Sequence, residues 1–192
     1  MRKALQSSVF LLLTIQICFA QEDYTTSQKG SLLGFGFIGA DFTSLGKPKD
    51  ASLKNTDYGM TVFYMQGLLK RVDWSIRYNG LFSDYIKDPD ANTSGFVSEF
   101  EAALHGRPLT DNHLFQPFIT AGIGVGYYGN KWAPYAPLGA GLQFNFSSTF
   151  YLFIQANYRA TLNNKNLDNN LFYTLSFATS LSSPKPPPPP TQ

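Results

Sequence analysis

Six side chains in this sequence could carry charge-based chemistry: Arg77, Glu99, Glu101, His105, Arg107 and Arg159. Glu99, Glu101, His105 and Arg107 share one parity of the segment Phe96 to Leu109, and Phe96, Phe100 and Leu104 occupy the other. In an extended chain that spacing turns the four polar groups to one face. Arg77 and Arg159 lie on the polar parity of two further segments and would project into the same interior. Charges taken out of water must pair, because an unpaired one carries a large desolvation penalty. Two kinds of chemistry follow. One is a fixed salt-bridge network that plugs and stiffens an interior; the other is a gate whose ion pairs exchange partners and admit small ions.

Other constellations are weaker. Gly124-Val125-Gly126-Tyr127-Tyr128-Gly129 matches a dinucleotide fingerprint as a string, but no helical periodicity follows and the glycines continue a strand parity. His105 and His113 lack carboxylate or histidine neighbours at metal-ligand spacing. Neither sits in a serine hydrolase pattern, and a lipid-acting barrel enzyme would need a His/Ser or His/Asp/Ser set near one rim. The expectation is a protein with no catalytic residue, no cofactor site and no metal ligand, and not an enzyme.

The elements that would position the charged groups begin after an export signal. Arg2 and Lys3 form a positive start, Val9 to Ile17 an apolar run, and Cys18-Phe19-Ala20 supplies the small residue that precedes cleavage at Gln21. Lipidation at Cys18 would require a small residue where Ile17 stands. The chain of 192 residues has 15 basic and 13 acidic side chains; losing Arg2 and Lys3 leaves 13 of each, and the single cysteine goes with them. A neutral mature chain gives no electrostatic basis for a nucleic-acid partner. It also has no thiol for a disulfide or a thiolate metal site. Charged residues make up 15% of the chain and aromatics 16%, unlike a disordered chain or a Lys/Glu-coated soluble surface.

No segment after the signal reaches the length of a membrane helix, and the mean hydropathy of -0.15 would suit a soluble protein. Period-2 patterns point elsewhere. Trp74 to Tyr85 sets Trp74, Ile76, Tyr78 and Phe82 against Ser75, Arg77, Asn79 and Ser83. The same alternation marks Ser31 to Thr43, Gln116 to Tyr128, Ala136 to Phe146, Phe150 to Leu162 and Asn170 to Leu181, and more noisily Asp57 to Lys70 and Phe96 to Leu109. Eight strands of this length suit an antiparallel barrel that crosses a bilayer at a tilt and closes without an edge. Between them, long loops at Ser44 to Thr56, Lys87 to Gly95, Asn130 to Tyr135 and Asn163 to Asn169 alternate with short turns at Arg71 to Asp73, Thr110 to Asn112 and Ser147 to Thr149. That alternation predicts both termini at the end with the short turns, the periplasmic one.

Alternation alone does not say which face looks outward. The polar parity is rich in Gly, Ser, Thr, Asn and Gln and poor in Lys and Glu, which suits a crowded narrow lumen. Tyr58, Tyr85, Tyr127, Trp132 and Tyr135 near one rim, and Trp74, Phe146 and Phe150 near the other, resemble two aromatic girdles. The apolar parity is therefore expected to face lipid, with small and polar groups along the axis.

Gln116-Pro117-Phe118-Ile119-Thr120-Ala121-Gly122-Ile123-Gly124-Val125-Gly126-Tyr127, Pro137-Leu138-Gly139-Ala140-Gly141-Leu142 and Asn157-Tyr158-Arg159 resemble the second half of the outer membrane protein A type transmembrane barrel. The resemblance is clearest over Phe115 to Leu181. It implies an all-β, eight-stranded antiparallel up-and-down barrel in the outer membrane of a Gram-negative cell envelope, usually followed by a linker and a peptidoglycan-binding domain. Ser182 to Pro190 looks like the start of that linker, and the sequence departs from the family pattern in running only to Gln192.

The expected organisation is a signal peptide at 1–20, a periplasmic lead-in at 21–30, the barrel at 31–181 and a proline-rich tail at 182–192. The tail should form an exposed polyproline II rod, either a spacer or a docking ligand for a periplasmic partner. Outer-membrane lipid is the expected partner and an envelope-structural role the expected function. A small porin-like channel and a soluble lipocalin-like ligand-binding barrel are the alternatives.

Overall fold

Large apolar residues alternating with small or polar ones favour extended chain, and each such segment here pairs antiparallel with its sequence neighbour. The computed structural model describes residues 28–42, 56–82, 95–109, 113–128, 131–147, 149–162 and 167–181. The strands are β1 (Leu32–Asp41), β2 (Thr56–Leu69), β3 (Val72–Phe82), β4 (Phe96–Gly106), β5 (Phe115–Tyr128), β6 (Lys131–Asn145), β7 (Phe150–Thr161) and β8 (Asn170–Ser180). β1 also pairs with β8, from Leu32 against Ser180 to Asp41 against Leu171, so the sheet closes as an up-and-down barrel. Closure leaves no bare strand edge, the condition for a sheet to stand in hydrocarbon. The signal segment 1–20, Tyr85, Gly129 and the tail 182–192 lie outside the described residues.

β6 departs most from expectation. The predicted loop Asn130 to Tyr135 is strand from Lys131 onward. Pro134 and Pro137 obscure the pattern because proline gives no N–H to a ladder. Pairing with β5 holds at Ala121 with Leu138 and at Gly124 with Tyr135, and lapses between them, beside Pro137. Residues 129 and 130 alone separate β5 from β6, whereas 107–114 separate β4 from β5. Long and short connections therefore do not alternate strictly.

Exposure separates the two faces. Phe35 is 60% exposed and Ile123 69%, while Glu99 is 0% and Arg159 1% exposed. Ile76 is exposed as well, and Leu142 keeps the outward parity beside the buried Gln143. Apolar side chains coat the outside, the reverse of a soluble ligand-binding barrel, and the fold is that of a transmembrane β-barrel. At the rim away from the described ends of the chain, Tyr58, Tyr127 and Trp132 are exposed, the last two with ring centroids 5.0 Å apart. Toward the opposite rim Phe115, Phe144, Phe146, Phe150, Phe177 and Phe35 form an arc, with successive centroids 5.3 to 6.4 Å apart. Tyr135 is not part of the first girdle. It shares parity with Gly139, Gly141 and Gln143 and is buried in the lumen.

Nor do small and polar groups alone fill the axis. Ile38, Leu81, Val97, Leu167 and Phe172 cluster toward the loop rim. Leu32, Phe63, Met65, Phe118 and Phe153 cluster toward the rim where β1 starts and β8 ends. Glycine makes room for the rings. A Cβ on Gly34 would stand 2.3 Å from the Phe63 ring, one on Gly124 2.4 Å from Tyr135, and one on Gly141 2.4 Å from Phe118. In all three cases the ring belongs to the residue paired with that glycine on the adjacent strand. These three glycines are seats for neighbouring aromatics.

Adjacent residues on β5 test the two faces. Ile123→Lys should cost about 2–4 kcal/mol in lipid vesicles, read from urea unfolding, because it places a charge in hydrocarbon. Gly124→Val should instead reduce the folded yield in detergent and lipid alike, because it evicts the Tyr135 ring.

Candidate functional site: the charged lumen

β4 points Glu99 and Glu101 inward from one wall, and β7 points Arg159 inward from another. Arg159 Nη1 stands 2.8 Å from Glu99 Oε2, and Nη2 stands 3.1 Å from Glu101 Oε2. Asn79 Nδ2 donates to Glu99 Oε2 at 3.1 Å, and the Tyr128 hydroxyl donates to Glu99 Oε1. The Tyr135 hydroxyl reaches Glu101 Oε2 at 3.4 Å. The guanidinium lies between rings, its central carbon 3.2 Å from the Phe172 centroid and 4.5 Å from that of Tyr135. One cation thus holds two carboxylates, and phenol and amide donors occupy further lone pairs, as a desolvated ion pair requires.

A second cluster lies toward the other rim. Arg107 Nε stands 2.8 Å from Asp73 Oδ2 while its Nη2 donates to Oδ1 at 3.0 Å. Arg107 Nη1 also donates to Gln116 Oε1 at 3.2 Å. The Lys29 ammonium stands 3.0 Å from Asp73 Oδ2. His105 joins neither cluster of charges; its Nε2 shares a 2.8 Å hydrogen bond with Ser75 Oγ. Arg77 lies between the clusters, crosses the lumen to donate to Gln155 Oε1 at 3.3 Å, and sits 5.3 Å from the Phe63 centroid. Its Nε and Nη1 have no hydrogen-bond partner among the described residues.

All six sequence-selected residues are therefore buried in the lumen, but as separate groups. Glu99, Glu101 and Arg159 form one, Arg107 belongs to another, and His105 and Arg77 make their own contacts. His113 is apart from them all; its backbone carbonyl accepts from Asn145 Nδ2 at 2.7 Å. Sequence reasoning overlooks Asp73, Tyr128 and Lys29, and assigns Tyr135 to the rim instead of the lumen. Asp73 continues the parity of Ser75 and Arg77, and Tyr128 that of Gly124 and Gly126, so extending those strands finds both. Lys29 precedes β1 and carries no periodic signal. Among the described residues no group of His, Cys, Asp and Glu could hold a metal ion.

Fold and lumen together define a small closed transmembrane barrel with a braced interior. No family model matches the chain, and no curated protein matches it. Among solved structures it resembles the N-terminal β-barrel domain of Pseudomonas aeruginosa OprF, at 14% identity over 80% of this chain and 98% of that one, with a TM-score of 0.56. It also resembles Neisserial surface protein A, at 10% identity over 80% of this chain and 98% of that one, with a TM-score of 0.51. At these identities the likeness is one of fold.

Removing Arg159 should be the costliest single change in the lumen. Arg159→Met strands two buried carboxylates and is expected to lose about 3–5 kcal/mol in urea unfolding. Combining it with Glu99→Gln and Glu101→Gln should recover much of that loss. Arg77→Met removes a charge with one hydrogen bond and is expected to be neutral or mildly stabilising.

Proposed function

We propose that this chain is an integral protein of a bacterial outer membrane and serves a structural, non-enzymatic role in the envelope. The observation that carries this reading is the contrast between a continuous apolar exterior and an interior crossed by side chains. Arg159 and Arg77 span the lumen from opposite walls, and apolar clusters lie toward both rims. Such an interior supports a rigid wall element over the porin-like alternative, since eight strands leave room for side chains and little else. The export signal read from Arg2 to Ala20 supports delivery across the inner membrane. Strands that begin and end at one rim support periplasmic placement of both mature termini. The proline-rich tail would then extend from the barrel into the periplasm, where it could meet a partner.

Membrane fractionation with gel migration tests the proposal. The full chain should fractionate with outer membranes, require detergent for extraction, and shift its migration on heating as the barrel unfolds. A freely soluble product with no heat shift would overturn it. In planar bilayers the wild-type chain should show no sustained open level.

A further inference from the structure

The segment before β1 crosses the rim where the barrel wall begins and ends, and a built dock receives it. β2 carries a register shift between Gly67 and Leu69. There Gly67 N donates to Lys29 O at 3.1 Å, and Gln28 Nε2 donates to Leu68 O at 3.0 Å. The approach is close enough to require glycine, since a Cβ on residue 67 would stand 2.6 Å from Lys29 N. Ser31 Oγ accepts from the Tyr64 hydroxyl at 2.8 Å, and Ser31 O accepts from Leu181 N at 2.8 Å. The strap is thus fixed at several points, and it delivers one side chain into the barrel.

That side chain ends in a cage. Lys29 Nζ donates to Gln143 Oε1 at 2.5 Å and stands 3.0 Å from Asp73 Oδ2, with the side chain 1% exposed. The rings of Phe153 and Tyr151 have their centroids 5.8 Å and 6.0 Å from the same nitrogen. A carboxylate, an amide oxygen and two aromatic rings converging on one nitrogen match the needs of a primary ammonium, which has N–H donors to direct and a charge that ring faces stabilise. Asp73 is also paired with Arg107, so withdrawing Lys29 would not leave the carboxylate without a counter-ion. The ligand can therefore leave without the full penalty of stranding a buried charge.

We propose that this rim holds a binding cage for a primary alkylammonium, and that Lys29 occupies it as a ligand tethered to the strap. With Lys29 seated the cage is filled. With Lys29 removed the same cage takes a free primary alkylammonium. A quaternary ammonium has no N–H for Gln143, and its methyl groups hold the charge away from Asp73.

The test uses the full-length mature chain folded in detergent, with wild type and Lys29→Ala compared by the temperature at which the folded gel band is half lost. Lys29→Ala should lower that temperature by on the order of 5 °C. Added n-butylammonium chloride should restore at least half of the loss, and tetramethylammonium chloride at equal ionic strength should not. Wild type should respond to neither, because the tethered lysine outcompetes a free amine through its high effective concentration. Adding Gln143→Leu to Lys29→Ala should abolish the rescue. If Lys29→Ala fails to fold, Lys29→Gln keeps the strap length and its backbone bonds and takes its place. Absence of rescue, equal rescue by both salts, or an equal shift in wild type would each overturn the cage.

Discussion

A closed wall of eight strands pairs its backbone without an open edge but leaves an axis only about as wide as the side chains that line it. Everything inside is desolvated, so each inward residue must pack or pair. The arrangement around Arg159 meets that demand by concentrating partners: two carboxylates, two phenols, an amide and the Phe172 ring gather around one guanidinium. Phe63, Phe118 and Tyr135 meet it differently, each lying over a glycine of the neighbouring strand. Ion pairing and ring packing are two answers to one shortage of space. They share the axis, with charged groups around Arg159 and around Asp73 and apolar clusters toward both rims.

Parity made much of this legible in advance. Eight alternating segments are enough to anticipate a closed antiparallel barrel, and the spacing of Glu99, Glu101, His105 and Arg107 is enough to put them on one face. Which charges meet is not legible, because pairing across a lumen depends on stagger and tilt, which leave no trace in local pattern. Glu99 and Arg159 are 60 residues apart in sequence. Tyr135 shows how a boundary error propagates. With the strand started at Ala136 it reads as a rim residue, and with the strand started at Lys131 its odd number turns it inward. Lys29 lies beyond any periodic segment, and its partners Asp73 and Gln143 sit on two strands far along the chain.

The glycines carry a related lesson. Read as a string, Gly124-Val125-Gly126-Tyr127-Tyr128-Gly129 resembles a phosphate loop, and read as composition it is merely small filler. In the barrel Gly124 faces Tyr135, whose hydroxyl approaches Glu101. A missing side chain on one strand thereby positions a phenol that helps hold the charge layer. Function of this kind is distributed between a residue that is present and one that is kept empty.

The trans-lumen arrangement of β4 and β7 also bears on how such a wall enters a bilayer. In an open sheet Glu99 and Arg159 would be far apart, each exposed on the surface destined for the axis. Hairpins threaded into lipid one at a time would carry lone charges into oil. Curling into a cylinder first removes that penalty, since the opposite walls neutralise each other as they meet. Closing the cylinder is what turns β4 and β7 to face one another, so that Arg159 meets Glu99 and Glu101 across the lumen.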